Sequence, residues 1–434
     1  MDVKEKIENM KPVYLWLLFV ILYVSFSTEV LWRPFIFAED TVFLNNALTD
    51  GFRSLFYRHA EYWEIISRLS ANLAIFLGSA ANSYLVTAFV MKTAAIAMFS
   101  YYIVYFAAAD FSWLVKERWK RFAISLIVLI WFGNFFNLYY SITSLHWAGE
   151  FFLFLVGLNL VFNKKFPGIF CLIICLLTCM NSPEACMVSI PFAIYIMNRA
   201  MERSISVSEI LGFLLVVAAA FLQLCAVMQS GNSSNVTDAG NILSALPKSL
   251  FSVTTSGAYV LGNETMSYLN PAFVLMSGGL IWFFIIFSYM KIGRAKGMLF
   301  LLYVLAFLFM HYMIIHIKPL NARHFNYDYW VHSCPGAVLA WSFFCAAANM
   351  KSVVCTDPAR QIFLLFCAVI LLTEVSHAGK IDGLDEHYKT YDYDMLGMGL
   401  IEDAEPAVDF SSRRCMVLKL YAGWRLFVPV RNEL

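Results

Sequence analysis

Two adjacent carboxylates, Glu39 and Asp40, follow the first long apolar run of the chain, where an acidic side chain needs a partner or a task. Such an acid can deprotonate an attacking hydroxyl, or bind a metal that holds a phosphate. The structural alternative is that Asp40 caps the helix that begins after it. Neighbouring side chains project about 100° apart on a helix, so only one carboxylate is expected to face a substrate.

Arg68 is a single arginine in a half-apolar segment shortly after the two acids. A planar guanidinium near the lipid headgroups suits a phosphate, which it binds through two parallel hydrogen bonds. Glu64 lies four residues earlier, so an ion pair on one helix face is the alternative. The sequence leaves both interpretations open.

Two further stretches place ionisable residues at the ends of apolar runs. In the first, His146 and Trp147 follow two tyrosines, and Glu150 comes one turn later. An interfacial aromatic belt accounts for the aromatic residues but not for His146 and Glu150. In the second, Glu184 follows a turn that contains Asn181, which serves as a helix cap in the structural interpretation. Ionisable groups at such depth indicate functional positions.

The richest polar stretch, residues 318–330, combines cations with aromatic and hydrogen-bonding groups. Arg323 suits a phosphate, and His324 and Tyr327 suit a sugar ring. The alternative is an interfacial loop with an internal Arg–Asp pair. We therefore expect substrate contacts from Tyr62, His146, Trp147, Glu184, His324 and Tyr327.

The composition is that of a polytopic α-helical membrane protein. Of the 434 residues, 60% are hydrophobic and 14% are charged, against about 25% charged in soluble domains. Runs such as 127–132 do not alternate in polarity, which excludes a β-barrel. A net charge of +1 gives no indication of a nucleic-acid partner. Most cysteines lie in apolar runs and no Cys-x-x-Cys motif occurs, so neither disulfides nor metal binding by cysteines is expected.

Eleven membrane spans are predicted, with the N-terminus in the cytoplasm and the C-terminus outside. Sixteen Lys and Arg residues fall in the predicted inner loops and seven in the outer loops up to residue 376, as the positive-inside rule requires. The basic N-terminal flank is followed by no cleavage site, so the first span is expected to be retained. The predicted spans are 12–31, 83–108, 121–139, 147–163, 167–180, 185–198, 207–229, 271–290, 298–316, 330–349 and 361–376.

The predicted outer segments differ in character. The first, 33–82, carries the acids, and its stretches 41–57 and 62–78 have the helical spacing of amphipathic interfacial helices. Residues 230–270, rich in Ser, Asn, Gly and Thr, indicate a mobile loop. Residues 377–434 form a separate C-terminal segment, with two short strands at 416–421 and 425–430 around an Ala422–Gly423 turn. The domain expectation is therefore a membrane domain, 1–376, followed by a small outer segment.

The short pieces 37–43, 60–69, 142–147, 181–184 and 321–325 together resemble the GT-C class of polytopic glycosyltransferases. The resemblance is to bacterial O-antigen-modifying (serotype-converting, Gtr-type) glucosyltransferases, and it covers most of the chain in layout. Members often have a glycine before the tyrosine of the second piece, where this chain has Glu61.

The resemblance implies a transferase of the bacterial inner membrane with its active site facing the periplasm. Its donor would be a polyprenyl-phosphate-linked sugar and its acceptor a lipid-linked glycan. Asp40 or Glu39 would be the catalytic base, and Arg68 and Arg323 would bind the donor phosphate. No organic cofactor is implied, and a divalent metal is left open. The alternatives are an O-antigen polymerase or ligase, a lipid-linked-sugar flippase or other transporter, and an acyltransferase using His311 or His316.

Overall fold

The architecture is described from a computed structural model, and the description covers parts of the chain. These parts are residues 3–26, 40–59, 62–81, 84–133, 142–182, 184–228, 239–261, 271–292, 294–317, 333–349, 405–406, 415–419 and 425–429. The predicted span 361–376 lies outside them.

Helices dominate the described residues, as the composition predicts. They are α1 Val3–Asn9, α2 Pro12–Phe26, α3 Asp40–Asp50, α4 Ile65–Ala80, α5 Tyr84–Ala108, α6 Arg118–Gly133, α7 Leu145–Asn163, α8 Ile169–Cys179, α9 Ser189–Met201, α10 Val207–Met228, α11 Ala239–Ser256, α12 Pro271–Ile292, α13 Arg294–Ile317 and α14 Ser333–Ala348. Short 3₁₀ helices cover Gly51–Phe56, Glu184–Val188 and Gly257–Leu261.

Five of these helices are long and apolar enough to cross a membrane. Their apolar segments are Val86–Ala108, Leu145–Asn163, Val207–Ala226, Ala272–Met290 and Ala295–His316. Four shorter apolar helices occupy further predicted span positions, namely Pro12–Ser25, Ile169–Cys179, Cys186–Met201 and Ser333–Ala348. The all-α membrane class is therefore supported, while the number of eleven spans stays a prediction.

Helix α7 is the central helix of the described bundle. In its apolar segment 83% of the residues are buried, against 39% in the apolar segments of α10, α12 and α13. Its aromatic side chains pack on neighbours from three helices, such as Phe152 on Tyr102, and Phe154 on Phe307 and Trp341. A helix that is apolar all round belongs inside such a bundle, and this one carries His146 and Glu150.

Helix α4 has the polarity of a membrane-embedded element. It exposes Leu69, Leu73 and Phe76 and buries Arg68 and Asn72. A helix in water would turn its apolar face inward. The reversed pattern fits the prediction of an apolar face in contact with lipid. Before this helix, β1 (Arg58–His59) and β2 (Tyr62–Trp63) form a two-residue antiparallel ladder.

Residues 239–261 correct one expectation. They were expected to form a mobile loop but form α11 and a 3₁₀ turn, which pack against α12 and α13. Several of their hydroxyl groups bond within the helix: Ser249 and Thr254 donate to the carbonyls of Ala245 and Leu250 at 2.8 and 3.0 Å. Side chains that bond back to the preceding turn allow a polar-looking segment to be helical.

The loops predicted to be cytoplasmic meet at one end of the bundle. Arg118 donates to the carbonyl of Met10 at 2.6 Å, and Lys165 pairs with Asp110 at 3.0 Å. Lys164 pairs with Glu202 there as well. Hydrogen bonds from Ser112 and Lys165 lower the pKa of Asp110 to about 2. These contacts place the basic loops on one side of the bundle, and the prediction that this side faces the cytoplasm stays a prediction.

The C-terminal segment contains the predicted pair of strands, with ends that differ from the prediction by at most two residues. Strands β4 (Cys415–Lys419) and β5 (Arg425–Pro429) are antiparallel, with Val417 opposite Phe427. A third short strand, β3 (Glu405–Pro406), pairs with β4. Strand β5 lies against α3, so the C-terminal segment reaches the helix that begins with Asp40.

Candidate functional site

Asp40 is the first residue of α3, and its carboxylate is buried, with 1% of the residue exposed. Oδ1 accepts hydrogen bonds from the backbone N–H and the Oγ1 of Thr143, at 3.3 and 3.0 Å. Oδ2 accepts the N–H of Ile142 at 3.4 Å. The carboxylate of Asp40 therefore holds the turn that starts α7. The sequence suggested a general base or a helix cap at Asp40, and neither role includes this contact.

Lys92 lies beside this carboxylate and was not singled out from the sequence. It is fully buried in α5, and its Nζ is 4.0 Å from Asp40 Oδ2. The signal was present, because a single lysine within a long apolar helix marks a functional or paired position. Positive charge here favours the ionised form of Asp40.

Replacing Lys92 by methionine is expected to destabilise the protein. Removing one partner of a buried ion pair leaves the other charge uncompensated, at a cost of about 3–5 kcal/mol. Thermal unfolding of the purified protein in detergent measures the effect. Lys165→Met is the matched control, because its pair with Asp110 is solvent-exposed and such pairs contribute about 0–1 kcal/mol. Equal unfolding temperatures for Lys92→Met and wild type would contradict the pairing.

Arg68 is buried without a hydrogen-bonding partner among the described residues. It is 0% exposed, and none of its three guanidinium nitrogens donates to a described group. Its Cζ lies 5.2 Å from the ring centre of Phe43 and 5.9 Å from that of Tyr57. The alternative of a hydrogen-bonded ion pair with Glu64 is therefore not what is seen. Glu64 instead accepts from Ser67 Oγ at 3.1 Å.

Two segments that are distant in sequence, around Ile142 and Asn181, contact the start of α4. The Ile65 N–H donates to the carbonyl of Met180 at 3.2 Å, and the Ile66 N–H to Asn181 Oδ1 at 3.0 Å. Ser67 Oγ lies 3.5 Å from the carbonyl of Ile142. Asn181 thus caps α4 from a distant segment. The start of α4 and the segments around Ile142 and Asn181 form one site.

His146 and Trp147 lie next to the turn that Asp40 holds. His146 Nδ1 is 2.5 Å from the carbonyl of Thr143, and its ring centre is 4.2 Å from that of Trp147. Tyr62 is half-buried in β2, whose Trp63 exchanges backbone hydrogen bonds with the Gln223 side chain at 3.1 and 2.8 Å.

Glu184 belongs to a second buried polar cluster, which includes Ser182 and Glu150. Ser182 Oγ lies 2.7 Å from Glu184 Oε2 and 3.0 Å from Glu150 Oε1. On the other side, Glu150 Oε2 is 3.0 Å from Nδ1 of His311 on α13. Glu150 and Glu184 both line a small cavity together with Tyr303 and Phe307. The approach of His311 to Glu150 had no signal in the sequence, because 161 positions separate them.

The remaining candidates, Glu39, Arg323, His324 and Tyr327, lie outside the described residues. Within the described part of the chain, no group of three His, Cys, Asp or Glu side chains is arranged to hold a metal ion.

Comparison with known proteins adds no assignment: no family model, curated protein or solved structure matches this chain.

Proposed function

We propose that this chain is a membrane glycosyltransferase. It transfers a sugar, glucose by resemblance, from a polyprenyl-phosphate donor to a lipid-linked glycan such as O-antigen at the periplasmic face of the bacterial inner membrane. The observation that carries the proposal is a buried acid near a buried guanidinium that donates no hydrogen bond to any described residue. Asp40 and Phe43 lie on the same turn of α3, and Arg68 lies over the ring of Phe43.

In the proposed reaction, an acceptor hydroxyl attacks the anomeric carbon of the donor sugar. The bond between that carbon and the phosphate oxygen breaks, and polyprenyl phosphate leaves with the electron pair. The hydroxyl proton passes to the carboxylate of Asp40, with Glu39 as its alternative. The leaving phosphate gains negative charge, which Arg68 and Arg323 stabilise.

Lys92 has a supporting role in this reaction. A base must be ionised before it accepts a proton, and burial alone would disfavour a charged carboxylate. The buried cation 4.0 Å away offsets that cost. His146 and Trp147 adjoin the same turn and are the proposed contacts to sugar, together with Tyr62, His324 and Tyr327. Glu184, also named for sugar from the sequence, lies in the deeper cluster with Ser182.

The direct test is transfer in membranes. Membranes that contain the chain are incubated with radiolabelled polyprenyl-phosphate sugars and candidate lipid-linked glycans, beside membranes without it. Label that moves into the glycan only when the chain is present supports the proposal. Label that remains on the donor with every sugar and acceptor offered counts against it.

A second function, transport of a lipid-linked sugar, is favoured by one observation. Ionisable side chains are buried within helices of span length, namely Lys92 in α5, Glu150 in α7 and His311 in α13. Transporters place such groups along substrate and proton paths. Movement of labelled donor across sealed vesicles without transfer to glycan would favour this function over the first.

The proposed orientation gives a separate prediction. With the basic loops in the cytoplasm and eleven spans, residues after about 376 face the periplasm. Alkaline phosphatase fused to the C-terminus is therefore expected to be active, and a reporter that works only in the cytoplasm to be silent. The opposite result would remove one span and place the C-terminal strands on the wrong side for the acceptor.

A further inference from the structure

We propose that Gln223 on α10 is a positioning residue for the sugar contact at Tyr62, on which it acts through the backbone of Trp63. The inference rests on the proposed function in one respect, the assignment of sugar to Tyr62. Gln223 is fully buried and lies 160 positions after Trp63 in the chain. Its Oε1 accepts the Trp63 N–H at 3.1 Å, and its Nε2 donates to the Trp63 carbonyl at 2.8 Å. Both halves of the amide thus bind one residue of the hairpin β1–β2.

A glutamine at this place in α10 needs an explanation, because the helix is long and apolar enough to cross a membrane. Its neighbours Phe221, Leu222 and Leu224 are exposed on the surface of the bundle, an arrangement that suits contact with lipid. A buried amide without hydrogen bonds would be unfavourable there. Leucine at position 223 would suit the bilayer better, so the polar side chain is explained by the residue that it binds.

The two bonds take the place of a neighbouring strand. In an antiparallel ladder, the N–H and C=O of one residue point either both toward the partner strand or both away from it. Trp63 lies opposite Arg58 on β1, and both of its backbone groups bond to Gln223, so they point away from β1. The Arg58 guanidinium also donates to the carbonyl of Ala226 at 3.3 Å. The hairpin is therefore held against the C-terminal part of α10 at two points.

The fixed backbone of Trp63 sets the direction of Tyr62. Successive side chains of a strand project to opposite faces. The Trp63 side chain has partners on its own face, since its Nε1 donates to the carbonyl of Phe56 at 3.3 Å and the Arg58 guanidinium lies 5.7 Å from its ring centre. Tyr62 therefore projects from the other face of the hairpin. Misplacing a substrate contact by about 1 Å can lower a rate by about 10²-fold.

The start of α4, which follows the hairpin, has anchors of its own. The Ile65 N–H donates to the carbonyl of Met180, and the Ile66 N–H donates to Asn181 Oδ1. Loss of the Gln223 amide is therefore expected to release the hairpin and to leave α4 in place. This difference distinguishes positioning of the hairpin from a general contribution to stability.

Hydrogen exchange of the full chain in detergent, resolved to single amides by mass spectrometry, tests the contact. Gln223→Met keeps the length of the side chain and removes both bonds. The Trp63 amide is expected to exchange about tenfold faster, the factor expected from the loss of one hydrogen bond. Amides of α4 are expected to keep their wild-type rates. Phe221→Leu, on the exposed side of the same turn, is the matched control and is expected to change neither.

Two exchange results would overturn the proposal. An unchanged rate at Trp63 would show that Gln223 does not hold the hairpin, and equally faster exchange at Trp63 and in α4 would make Gln223 a general stabiliser. If Gln223→Met does not accumulate, Gln223→Asn keeps the amide on a side chain that is one methylene shorter. The same selective rise at Trp63 is expected there, and its absence would count against the proposal.

Transfer kinetics test the role through Tyr62. Gln223→Met is expected to lower kcat/KM by roughly 10- to 10²-fold. In a Tyr62→Ala background the same substitution is expected to have no further effect, because the contact that it positions is already gone. A full additional loss in that background would overturn the positioning role. If the wild type transfers no label, the assignment of sugar to Tyr62 fails with the proposed function, and the exchange rates alone decide whether Gln223 positions the hairpin.

Discussion

Asp40→Asn is expected to lower the rate of sugar transfer by about 10²–10⁴-fold, the usual loss when a positioned general base is removed. An amide is nearly the same size as the carboxylate but does not accept a proton near neutral pH. Transfer of label per unit of membrane-inserted protein measures the effect. Glu39→Gln is the neighbouring comparison, and a greater loss there would make Glu39 the base.

The contacts of Asp40 determine how this variant must be controlled. The carboxylate accepts three hydrogen bonds from Ile142 and Thr143 and lies 4.0 Å from Lys92. The single amide oxygen retains the bonds from Thr143 but loses that from Ile142, and the neutral side chain leaves Lys92 without its counter-charge. Asp40→Asn is therefore also expected to lower stability, in contrast to a purely capping residue, where asparagine is equivalent.

A double variant separates the two effects. Asp40→Asn combined with Lys92→Met removes both charges, so the stability lost through the isolated lysine is expected to return. Transfer is expected to stay as low as in Asp40→Asn alone, because no base is restored. Thr143→Val is the matched control on the turn, since it removes one donor and keeps the carboxylate. Wild-type transfer rates in both Asp40→Asn and Glu39→Gln would make the first loop structural and put the transport function ahead.

The sequence predicted the helices because long apolar runs determine them directly. It predicted Asp40, Arg68, His146 and Glu184 as candidates because ionisable groups are unusual beside apolar runs. Of these four, Asp40 and His146 both contact Thr143 in the turn before α7, and Arg68 lies over the ring of Phe43, on the same turn of α3 as Asp40.

Partners that are distant in sequence were beyond such reasoning. The bond from Thr143 to Asp40 and the approach of His311 to Glu150 depend on how helices pack, and hydropathy carries no record of that. Composition also misled at 239–256, where serine and threonine suggested a loop, although hydroxyls such as those of Ser249 and Thr254 bond within a helix. Lys92 could have been predicted, because the sequence shows it as a single lysine within the long apolar run that forms α5.

The second large effect is expected at Arg68. Hydrogen bonds to charged groups contribute about 1.5–3 kcal/mol, and 1.4 kcal/mol corresponds to a factor of ten in binding. Arg68→Ala is therefore expected to raise the KM for the donor by roughly ten- to a hundredfold, with a smaller change in kcat. Arg68→Lys keeps the charge but loses the planar pair of donors, so an intermediate KM is expected.

Arg58 provides the matched control in the same loop. Its guanidinium lies 5.7 Å from the ring centre of Trp63 and donates to the carbonyl of Ala226 at 3.3 Å. It thus already has the partner that Arg68 lacks within the described residues. Arg58→Lys is expected to leave the donor KM unchanged. If the donor KM is also unchanged in Arg68→Lys and Arg68→Ala, Arg68 does not bind the donor phosphate.

The unfolding temperature tests independently whether Arg68 serves donor binding or stabilises the fold. A buried guanidinium without hydrogen bonds opposes folding, and residues that a site retains for binding are often unfavourable for stability. Arg68→Met preserves the side-chain length between Phe43 and Tyr57 while removing the charge. We expect Arg68→Met to unfold in detergent at a temperature equal to or above that of the wild type, although it loses donor binding. A large fall in unfolding temperature would show instead that Arg68 stabilises the fold, with Glu64 as its electrostatic partner.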